Sequence, residues 1–458
     1  MANPADLVRR LRELLPVQAL RTDPADRLAY GYDNSRRQGM PCAVALPERR
    51  EQVVAIVQAC RDTGVPLTAR GRGTGTTGAA VPADDALVLS FERMDAIVAI
   101  DPARRLAIVE PGVLNGDLQA AAAAHGFFWP PDPTSAPWST VGGNLACNAG
   151  GPRTVKYGAS RDNVLAVTAV DGRGRLFDTA RPLAKQAMGY DLARLLVGSE
   201  GTLALIVEAT LRLLPCPEAS RALAASFRDV AAAARAVTRI MAQPATPSAL
   251  EFLDGKSLAL ARARAGDAVP AAGALLLMEV DGPASSLDDQ VEALRAAASV
   301  DGLLRFQAAA DGAGRELLWA ARKALSPALR AVAPKKINED VVVPVPRLPE
   351  LTAFLDVLEA ESGIAIVCFG HAGNGNLHVN LMYDPADPAQ AAAAPVALRR
   401  LFEQVLALGG SLSGEHGIGL DKRPFMPQAL DPVALSLMAG IRQAFDPDGI
   451  LNPGKLLP

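Results

Sequence analysis

The chain has 458 residues, of which 50% are hydrophobic and 21% are charged, so it is globular and long enough for two or three domains. Its net charge is −3, which excludes the strongly basic class of nucleic-acid-binding proteins. No apolar run in the sequence approaches the ~18 residues that a membrane span needs.

The N-terminal residues predict a short amphipathic helix. Asn3 before Pro4 is typical of an N-cap and first helical turn, and the charges that follow leave no apolar stretch of the signal-peptide kind. The five cysteines are odd in number and far apart, so they predict neither a disulfide framework nor an iron–sulfur site. We therefore expect a cytoplasmic protein, with any attachment to the inner membrane made through a partner.

A strand at 42–46, a helix at 51–63 and a strand at 65–69 predict a βαβ beginning that leads into ARGRGTGTTG. The glycines at 73, 75 and 78 match GxGxxG, the fingerprint of nicotinamide-dinucleotide sites. That fingerprint must open a helix, whereas here an apolar strand at 86–90 follows. We therefore reject a nicotinamide site, and a glycine-rich turn without a ligand remains the alternative for this loop alone.

The second glycine-rich segment, residues 131–158, reads PDPTSAPWSTVGGNLACNAGGPRTVKYG. We expect its glycines to break any regular element, and its small residues to let the backbone approach a ligand closely. Successive free N–H groups of such a backbone bind anions, as a diphosphate requires. A mobile linker would be hydrophilic and repetitive, and the apolar Trp138, Val141 and Leu145 argue against it.

Prolines at 215 and 217 mark a boundary, beyond which helices and strands alternate in a way that suits an α+β domain with an antiparallel sheet. The expected organisation is an N-terminal helical segment at 1–40, a first domain at 41–216 and a second domain at 217–458.

Three of the four histidines lie within residues 371–416. His371 and His378 flank a Gly-Asn-Gly reversal nearly symmetrically, so a hairpin would set them opposite each other with Cβ atoms roughly 5 Å apart. Glu415 offers a third ligand beside His416, and two His with one carboxylate leave a metal coordination position open, as in catalytic sites. Hydrogen-bonded histidines that line a cleft are the alternative.

The glycine-rich and histidine segments resemble the FAD-dependent D-2-hydroxy-acid dehydrogenases, which include D-lactate dehydrogenase, the glycolate oxidase flavoprotein subunit and D-2-hydroxyglutarate dehydrogenase. The strings that carry the likeness are RGxGTGxTG, PDPxSxxxSTxGGNxAxNAGG, GHxGxGNLHxN and EHGIG. The likeness covers essentially the whole chain. One departure is Asn374, where many relatives carry Asp, and a lost carboxylate there could change the metal preference.

The resemblance implies a fold of the α+β class, with a two-subdomain FAD-binding domain of vanillyl-alcohol-oxidase (PCMH) type and a C-terminal α+β substrate domain with an antiparallel sheet. It also implies the flavin-binding residues. These are Arg70, Gly71, Arg72, Gly73, Thr74, Gly75, Thr77, Gly78, Pro133, Ser139, Thr140, Gly142, Gly143, Asn144, Ala149, Gly150, Gly158, Glu200, Gly201, Ile206 and Asn452.

The FAD is expected to be non-covalent, because residues 70–80 contain no histidine of the kind that tethers flavin in some relatives of this fold.

The resemblance assigns a divalent metal, Zn or Mn, to His371, His378 and Glu415. His416 is then the catalytic base, and Arg322 and Lys336 hold the substrate carboxylate. A solvated surface charge is the alternative for these two cations.

Asn380 is the last of the expected catalytic residues, as a polar neighbour of the cations that hold the substrate carboxylate. The resemblance implies a reaction that oxidises a D-2-hydroxy acid to the 2-oxo acid by metal-assisted hydride transfer to FAD. D-Lactate or glycolate is the expected substrate, because the PPDPTS and KYG strings resemble the lactate and glycolate relatives. D-2-hydroxyglutarate and a non-catalytic FAD-binding subunit of a glycolate oxidase are the alternatives. A metal-dependent hydrolase would leave the glycine loops without a role.

The expected partners are the small 2-hydroxy-acid substrate and an electron acceptor, either a quinone, a cytochrome or an electron-transfer flavoprotein. No nucleic acid and no transmembrane segment are expected. The chain is expected to be a homodimer or a subunit of an oxidase complex.

Overall fold

The structure is a computed structural model, and it describes residues 2–329 and 331–458. The chain divides into two compact units. The first contains the residues up to 151, residues 158–216 and residues 415–458; the second contains residues 152–157 and 217–414. Each unit is described by itself below.

The part of the chain up to residue 216 contains both helices and strands. They are α1 (Pro4–Leu14), β1 (Leu20–Arg21), α2 (Pro24–Tyr30), β2 (Ala43–Ala45), α3 (Arg50–Thr63), β3 (Leu67–Arg70), β4 (Leu87–Ser90), β5 (Ile97–Asp101), β6 (Leu106–Val109), α4 (Asn115–Ala123), β7 (Phe127–Phe128), α5 (Val141–Cys147), α6 (Thr154–Tyr157), β8 (Val164–Asp171), β9 (Leu176–Asp178), α7 (Leu192–Leu196), β10 (Ala204–Arg212) and β11 (Leu214–Pro215).

The first unit contains two principal sheets. A four-stranded sheet has the order β1-β2-β4-β3, in which β2 and β3 run parallel to β4, as a βαβ beginning predicts. The apolar face of α3 is buried in the same core as this sheet, and the helix ends at Gly64 in the left-handed conformation that glycine tolerates. A five-stranded antiparallel sheet, β5-β6-β10-β8-β9, encloses a second core together with α4 and α5.

The later elements are β12 (Ala219–Phe227), α8 (Val230–Met241), β13 (Ala249–Asp254), α9 (Gly255–Ala265), β14 (Ala274–Gly282), α10 (Leu287–Ala298), β15 (Leu303–Ala308), α11 (Gly312–Leu329), β16 (Lys335–Val342), α12 (Leu348–Ser362), β17 (Ala365–His371), β18 (Asn376–Tyr383), α13 (Pro388–Ala407), α14 (Met426–Ala429) and α15 (Pro432–Phe445).

The second unit is built on one seven-stranded sheet with the order β15-β12-β14-β13-β17-β18-β16. Every recorded pairing in it is antiparallel, which confirms the α+β class predicted for this half. One of its cores contains apolar residues of β13, β14, α9 and α11. The hairpin β17–β18 contains His371 and His378, and the neighbouring strands β13 and β16 contain Glu251 and Asp340.

The prediction for the first glycine loop is confirmed, because residues 71–86 form no helix before β4. The prediction for the second segment is wrong at Gly142 and Gly143, which lie in the first turn of α5. Thr140 caps this helix by accepting a hydrogen bond from the Gly143 N–H, and Val141 and Leu145 are buried beneath it. Capping and burial together outweigh the low helix propensity of the two glycines.

None of the helices in the described ranges combines the length and the apolar character that crossing a bilayer requires.

Candidate active site

The two glycine-rich segments meet in the first unit. A Cβ atom built on Gly71 would lie 2.3 Å from the Thr140 Oγ1, so the loop after β3 and the N-terminus of α5 are in direct contact at a position where no side chain fits. Gly73 has a φ of +66°, and a Cβ there would meet the Arg70 guanidinium. Gly71 is therefore required because a side chain has no space there. Gly73 is required for space and also for its backbone conformation.

Polar groups without protein partners collect at this contact. Among the described residues, Ser139 Oγ and Asn144 Nδ2 are buried and make no hydrogen bond. No hydrogen bond within the described part of the chain uses the backbone N–H of residues 72–77. Buried polar groups are otherwise almost always paired. A row of N–H donors beside buried hydroxyl and amide groups fits the diphosphate of a dinucleotide such as FAD.

The structure places every residue predicted to bind flavin in the first unit. Arg70 ends β3; Gly71, Arg72, Gly73, Thr74, Gly75, Thr77 and Gly78 form the loop that follows; Pro133, Ser139 and Thr140 precede α5; Gly142, Gly143 and Asn144 lie within it; Ala149, Gly150 and Gly158 follow it; Glu200 and Gly201 form a turn; Ile206 lies on β10; and Asn452 lies near the C-terminus.

Two of these residues, Arg70 and Asn452, have partners that indicate a supporting role. Arg70 donates to the Tyr32 carbonyl at 2.7 Å and lies over the Tyr30 ring. Asn452 donates from Nδ2 to the carbonyls of Ala79 at 2.9 Å and Glu200 at 2.7 Å. These bonds hold the backbone around the glycine loop.

Glu200 is buried and binds a segment close to the predicted catalytic base. Its carboxylate accepts hydrogen bonds from the N–H groups of Ile418 at 2.6 Å and Gly419 at 2.9 Å. Burial raises the pKa of Glu200 above its ordinary value, although these two donors oppose the shift. The Thr77 hydroxyl also donates to the His416 carbonyl at 3.3 Å. Side chains of the first unit thus fix the backbone of residues 416–419.

The hairpin β17–β18 has a different register from the predicted one. His371 pairs with Asn376, and His378 pairs with Phe369, so the two histidines are not opposite each other. The reversal occupies residues 372–375 and ends at Gly375, whose φ of +70° closes it. The histidines remain on one face as diagonal neighbours, with ring centroids 5.1 Å apart in an edge-to-face arrangement.

The predicted metal ligands are close together. One ligand atom each from His371, His378 and Glu415 lies within 4.8 Å of the others. Both histidines are buried, and Glu415 is half-buried. Two imidazole nitrogens and one carboxylate oxygen are a donor set that suits a divalent ion such as Zn²⁺ or Mn²⁺ and leaves a coordination position for a substrate. The residues present therefore fit a catalytic metal.

Asp340 fixes the chain immediately before Glu415. It lies on β16 opposite His378 and is fully buried. Its carboxylate accepts from the Ser413 hydroxyl at 3.0 Å and from the Gly414 N–H at 2.9 Å. A Cβ on Gly414 would lie 2.6 Å from the Asn376 amide, so only glycine fits in this turn. The sequence contains Asp340 in KKINED, but nothing local indicates that it binds residues more than 70 positions away.

Glu251 on β13 is a site residue that sequence reasoning missed. It is completely buried, and its carboxylate binds the Nδ1 of His371 and, at 2.9 Å, the Nε of Arg322. Burial alone would raise the pKa of Glu251, but its interactions with His371 and Arg322 outweigh burial and hold that pKa below its ordinary value. An acidic residue within the apolar strand ALEFLD was the available signal, since ionised groups are rarely buried without a partner.

The predicted substrate-binding residues have different surroundings. Arg322 on α11 is 15% exposed and lies over the Phe369 ring with its guanidinium carbon 4.9 Å from the centroid, so it is not the solvated surface charge of the alternative interpretation. Lys336 is an exposed residue of β16. Asn380 is fully buried and donates from Nδ2 to the carbonyls of Val367 and His378, each at 3.2 Å. Its role as a polar neighbour of the substrate stays a prediction.

Comparisons with known proteins find two family matches along the chain. Residues 41–180 match a family described as "FAD binding domain", and residues 216–456 match "FAD linked oxidases, C-terminal domain". The chain is 37% identical over 434 residues to the glycolate oxidase subunit GlcD of Bacillus subtilis (strain 168), which covers 94% of this chain and 92% of that protein. It is 32% identical over 462 residues to a D-lactate dehydrogenase of Anaerostipes hadrus, with 98% and 97% coverage.

Solved structures support the fold. p-Cresol methylhydroxylase superposes with a TM-score of 0.82 at 17% identity, and the match covers 98% of this chain and 96% of that one. The 4-ethylphenol oxidase of Gulosibacter chungangensis gives a TM-score of 0.79 at 20% identity with the same coverage. The vanillyl-alcohol-oxidase type of fold is thereby confirmed. With both domain types matched and its relatives aligned over nearly their full length, this chain belongs to the FAD-linked oxidase family and is an FAD-dependent oxidoreductase.

Proposed function

We propose that the protein oxidises a D-2-hydroxy acid, D-lactate or glycolate in the first place, to the 2-oxo acid and passes the electrons to an external acceptor. The observation that carries this proposal is the clustering of His371, His378 and Glu415 within 4.8 Å in an FAD-dependent oxidoreductase. An oxidoreductase that used flavin alone would not need such a ligand set. Relatives named as a glycolate oxidase subunit and as a D-lactate dehydrogenase support the choice of substrate.

The glycine loops would hold FAD without a covalent bond. The N–H groups of residues 72–77, with Ser139 and Asn144, would bind its diphosphate. Residues 70–80 contain no histidine that could be tethered to the flavin. When bound, FAD supplies the acceptor for the hydride that leaves the substrate Cα.

His371, His378 and Glu415 would hold a divalent metal, Zn or Mn, which when bound supplies a Lewis acid for the substrate hydroxyl and carboxylate. Arg322 and Lys336 would orient the substrate through its carboxylate, for which the planar fork of Arg322 is the better match. His416 would take the hydroxyl proton, because imidazole is the side chain whose pKa lies nearest neutral pH. Once the hydroxyl has lost its proton, the hydride can leave the Cα that bears this hydroxyl.

The domain boundaries expected at residues 40 and 216 are part of the same proposal, since the FAD-binding and FAD-linked oxidase family matches begin at 41 and 216. The name of the Bacillus subtilis relative, a subunit, supports assembly into an oxidase complex, with a homodimer as the other arrangement. We place the protein in the cytoplasm, where a quinone, a cytochrome or an electron-transfer flavoprotein would take its electrons.

The test is anaerobic mixing of the purified flavoprotein with a panel of D- and L-2-hydroxy acids while the visible flavin absorbance is recorded. D-lactate or glycolate should bleach the flavin, whereas L-lactate should not. Bleaching by D-2-hydroxyglutarate alone would show that the substrate is a longer 2-hydroxy acid. Absence of bleaching with every member of the panel would contradict the proposed reaction.

A further inference from the structure

Glu251 joins two groups to which the proposed function gives separate tasks. Its carboxylate lies between the Nδ1 of His371 and the Nε of Arg322, and it is completely buried on β13. His371 is a proposed metal ligand and Arg322 a proposed substrate cation. Neither residue is near Glu251 in sequence, since they lie 120 and 71 positions away.

The bond to His371 selects one tautomer of the imidazole. An ionised carboxylate is an acceptor only, so the Nδ1 of His371 must carry the proton that the bond uses. The lone pair of the neutral ring is then on Nε2, which is the nitrogen that would bind a metal. A carboxylate behind a metal-binding histidine commonly fixes both the ring orientation and the tautomer in this way.

The bond to Arg322 fixes the guanidinium from behind. It uses Nε, so the donors on the two terminal nitrogens are not needed for Glu251. The Phe369 ring covers one face of the guanidinium, with the centroid 4.9 Å from the central carbon. The plane of the Arg322 fork is therefore set by two contacts, and a planar fork is what a substrate carboxylate requires for paired hydrogen bonds.

We propose that Glu251 is a positioning residue that orients the metal ligand His371 and the substrate cation Arg322 through one buried carboxylate. This inference rests on the proposed function, because it assumes the metal and the 2-hydroxy acid of that reaction. Glu251 itself need not contact either of them.

The substitution Glu251→Gln tests whether the two acceptor oxygens of Glu251 position its partners. The Gln side chain has nearly the same shape, but it contains one acceptor and one donor group. If its oxygen faces Arg322, its NH₂ group faces the Nδ1 of His371 and favours the tautomer with the proton on Nε2. If it is turned around, the NH₂ group opposes the Arg322 N–H. Either orientation leaves one partner mismatched.

The measurement is the zinc dissociation constant of the purified FAD-containing protein, obtained by competition with a chromophoric chelator. Loss of the partner behind a metal ligand typically weakens metal binding about 10–100-fold, and we expect a loss of this size in Glu251→Gln with flavin content unchanged. The matched control is Glu279→Gln on the neighbouring strand β14. Glu279 is also buried and ion-paired, with Arg315 at 2.8 Å, and its loss should leave zinc affinity unchanged.

A second measurement is made on the wild-type protein, and a variant is used only to assign its signals. The wild-type chain has only four histidines, so a ¹⁵N-histidine spectrum can resolve the ring nitrogens, with His371 assigned by comparison with His371→Asn. We expect the proton on Nδ1 of His371 in the zinc-loaded protein. A proton on Nε2, or zinc bound through Nδ1, would overturn the proposal.

The outcomes also separate this inference from the proposed function. Failure of the wild-type protein to bind zinc or manganese would overturn the metal centre and the positioning role together. Tight binding to wild type, with the same affinity in Glu251→Gln, would overturn the role of Glu251 alone and leave the metal centre in place.

Discussion

The glycine loops of the first unit and the histidine cluster are built by opposite means. The loops offer backbone N–H groups, and their geometry depends on the absence of side chains at Gly71 and Gly73. The cluster offers side chains, and the charged groups Glu251 and Asp340 hold its members in place. The loops should therefore be damaged mainly by added side-chain volume, whereas the cluster should be damaged by loss of a charged side chain or of the metal.

Removing the metal should have the largest effect and should affect the cluster alone. A Lewis acid supplies several kcal/mol of transition-state stabilisation, so prolonged chelation should slow anaerobic flavin reduction by at least about a thousandfold. The flavin spectrum should remain, because the residues expected to bind FAD lie outside the cluster. Added Zn or Mn should restore the rate. Full activity in protein shown by elemental analysis to be free of metal would contradict the proposed role of the metal.

His416→Asn should give the next largest effect. General-base catalysis typically contributes about 10²–10⁴-fold, so flavin reduction should slow by at least about a hundredfold while flavin and metal contents stay normal. His125→Asn is the matched control, because His125 is an exposed residue after α4. Reduction at the wild-type rate would mean that the proton leaves by another route. Loss of metal from the variant would make His416 a ligand.

Gly71→Ala tests whether added side-chain volume damages the glycine loops. The added methyl group would lie 2.3 Å from the Thr140 Oγ1, and such overpacking costs about 1–3 kcal/mol, which corresponds to an FAD affinity about 5- to 150-fold weaker. Metal affinity should not change. Gly312→Ala is the control, since a Cβ there meets nothing within 4 Å. Equal FAD dissociation constants for Gly71→Ala and wild type would place the diphosphate elsewhere.

Glu200→Gln should have the smallest effect, and it should depend on pH. Gln can accept from only one of the two N–H groups of Ile418 and Gly419, so we expect a loss of about 1–3 kcal/mol in the free energy of unfolding. The folded-state pKa of Glu200 is raised above the ordinary 4.5, so the stability it contributes should fall as pH rises from 4.5 through the folded pKa.

Denaturant unfolding of wild type and Glu200→Gln at several pH values measures this effect. The difference between the two free energies of unfolding should decrease with rising pH in that window. A difference that grows with pH would mean that the folded-state pKa is lowered instead.

Local signals in the sequence were enough to single out the glycine loops and the proposed metal ligands. The loops are runs of small residues next to strands. The proposed ligands are two of the four histidines of the chain and Glu415, which lies beside a third histidine. The helix α5 was not predictable from its two glycines, because its stability comes from the Thr140 cap and from burial of Val141 and Leu145. The propensity of a short segment contains no information about such tertiary packing.

The hairpin register and the supporting carboxylates required the structure. Symmetry about Gly-Asn-Gly suggested that His371 and His378 pair, but the turn begins at Ala372 and shifts the register by two positions. Glu251 binds a histidine 120 residues away, and Asp340 binds Gly414 across 74 residues. Contacts of this kind are set by the order of strands in the sheet, which the pattern of apolar residues does not determine.

The most direct test of the central claim is the anaerobic single-turnover reduction of the bound flavin by D-lactate with hydrogen or deuterium at C2, in the metal-loaded protein. We predict that the flavin is reduced by both substrates and more slowly by the deuterated one, because the C2–H bond breaks as the hydride moves to the flavin. Identical rates of reduction, or an oxidised flavin that D-lactate does not bleach, would contradict hydride transfer from a 2-hydroxy acid to FAD.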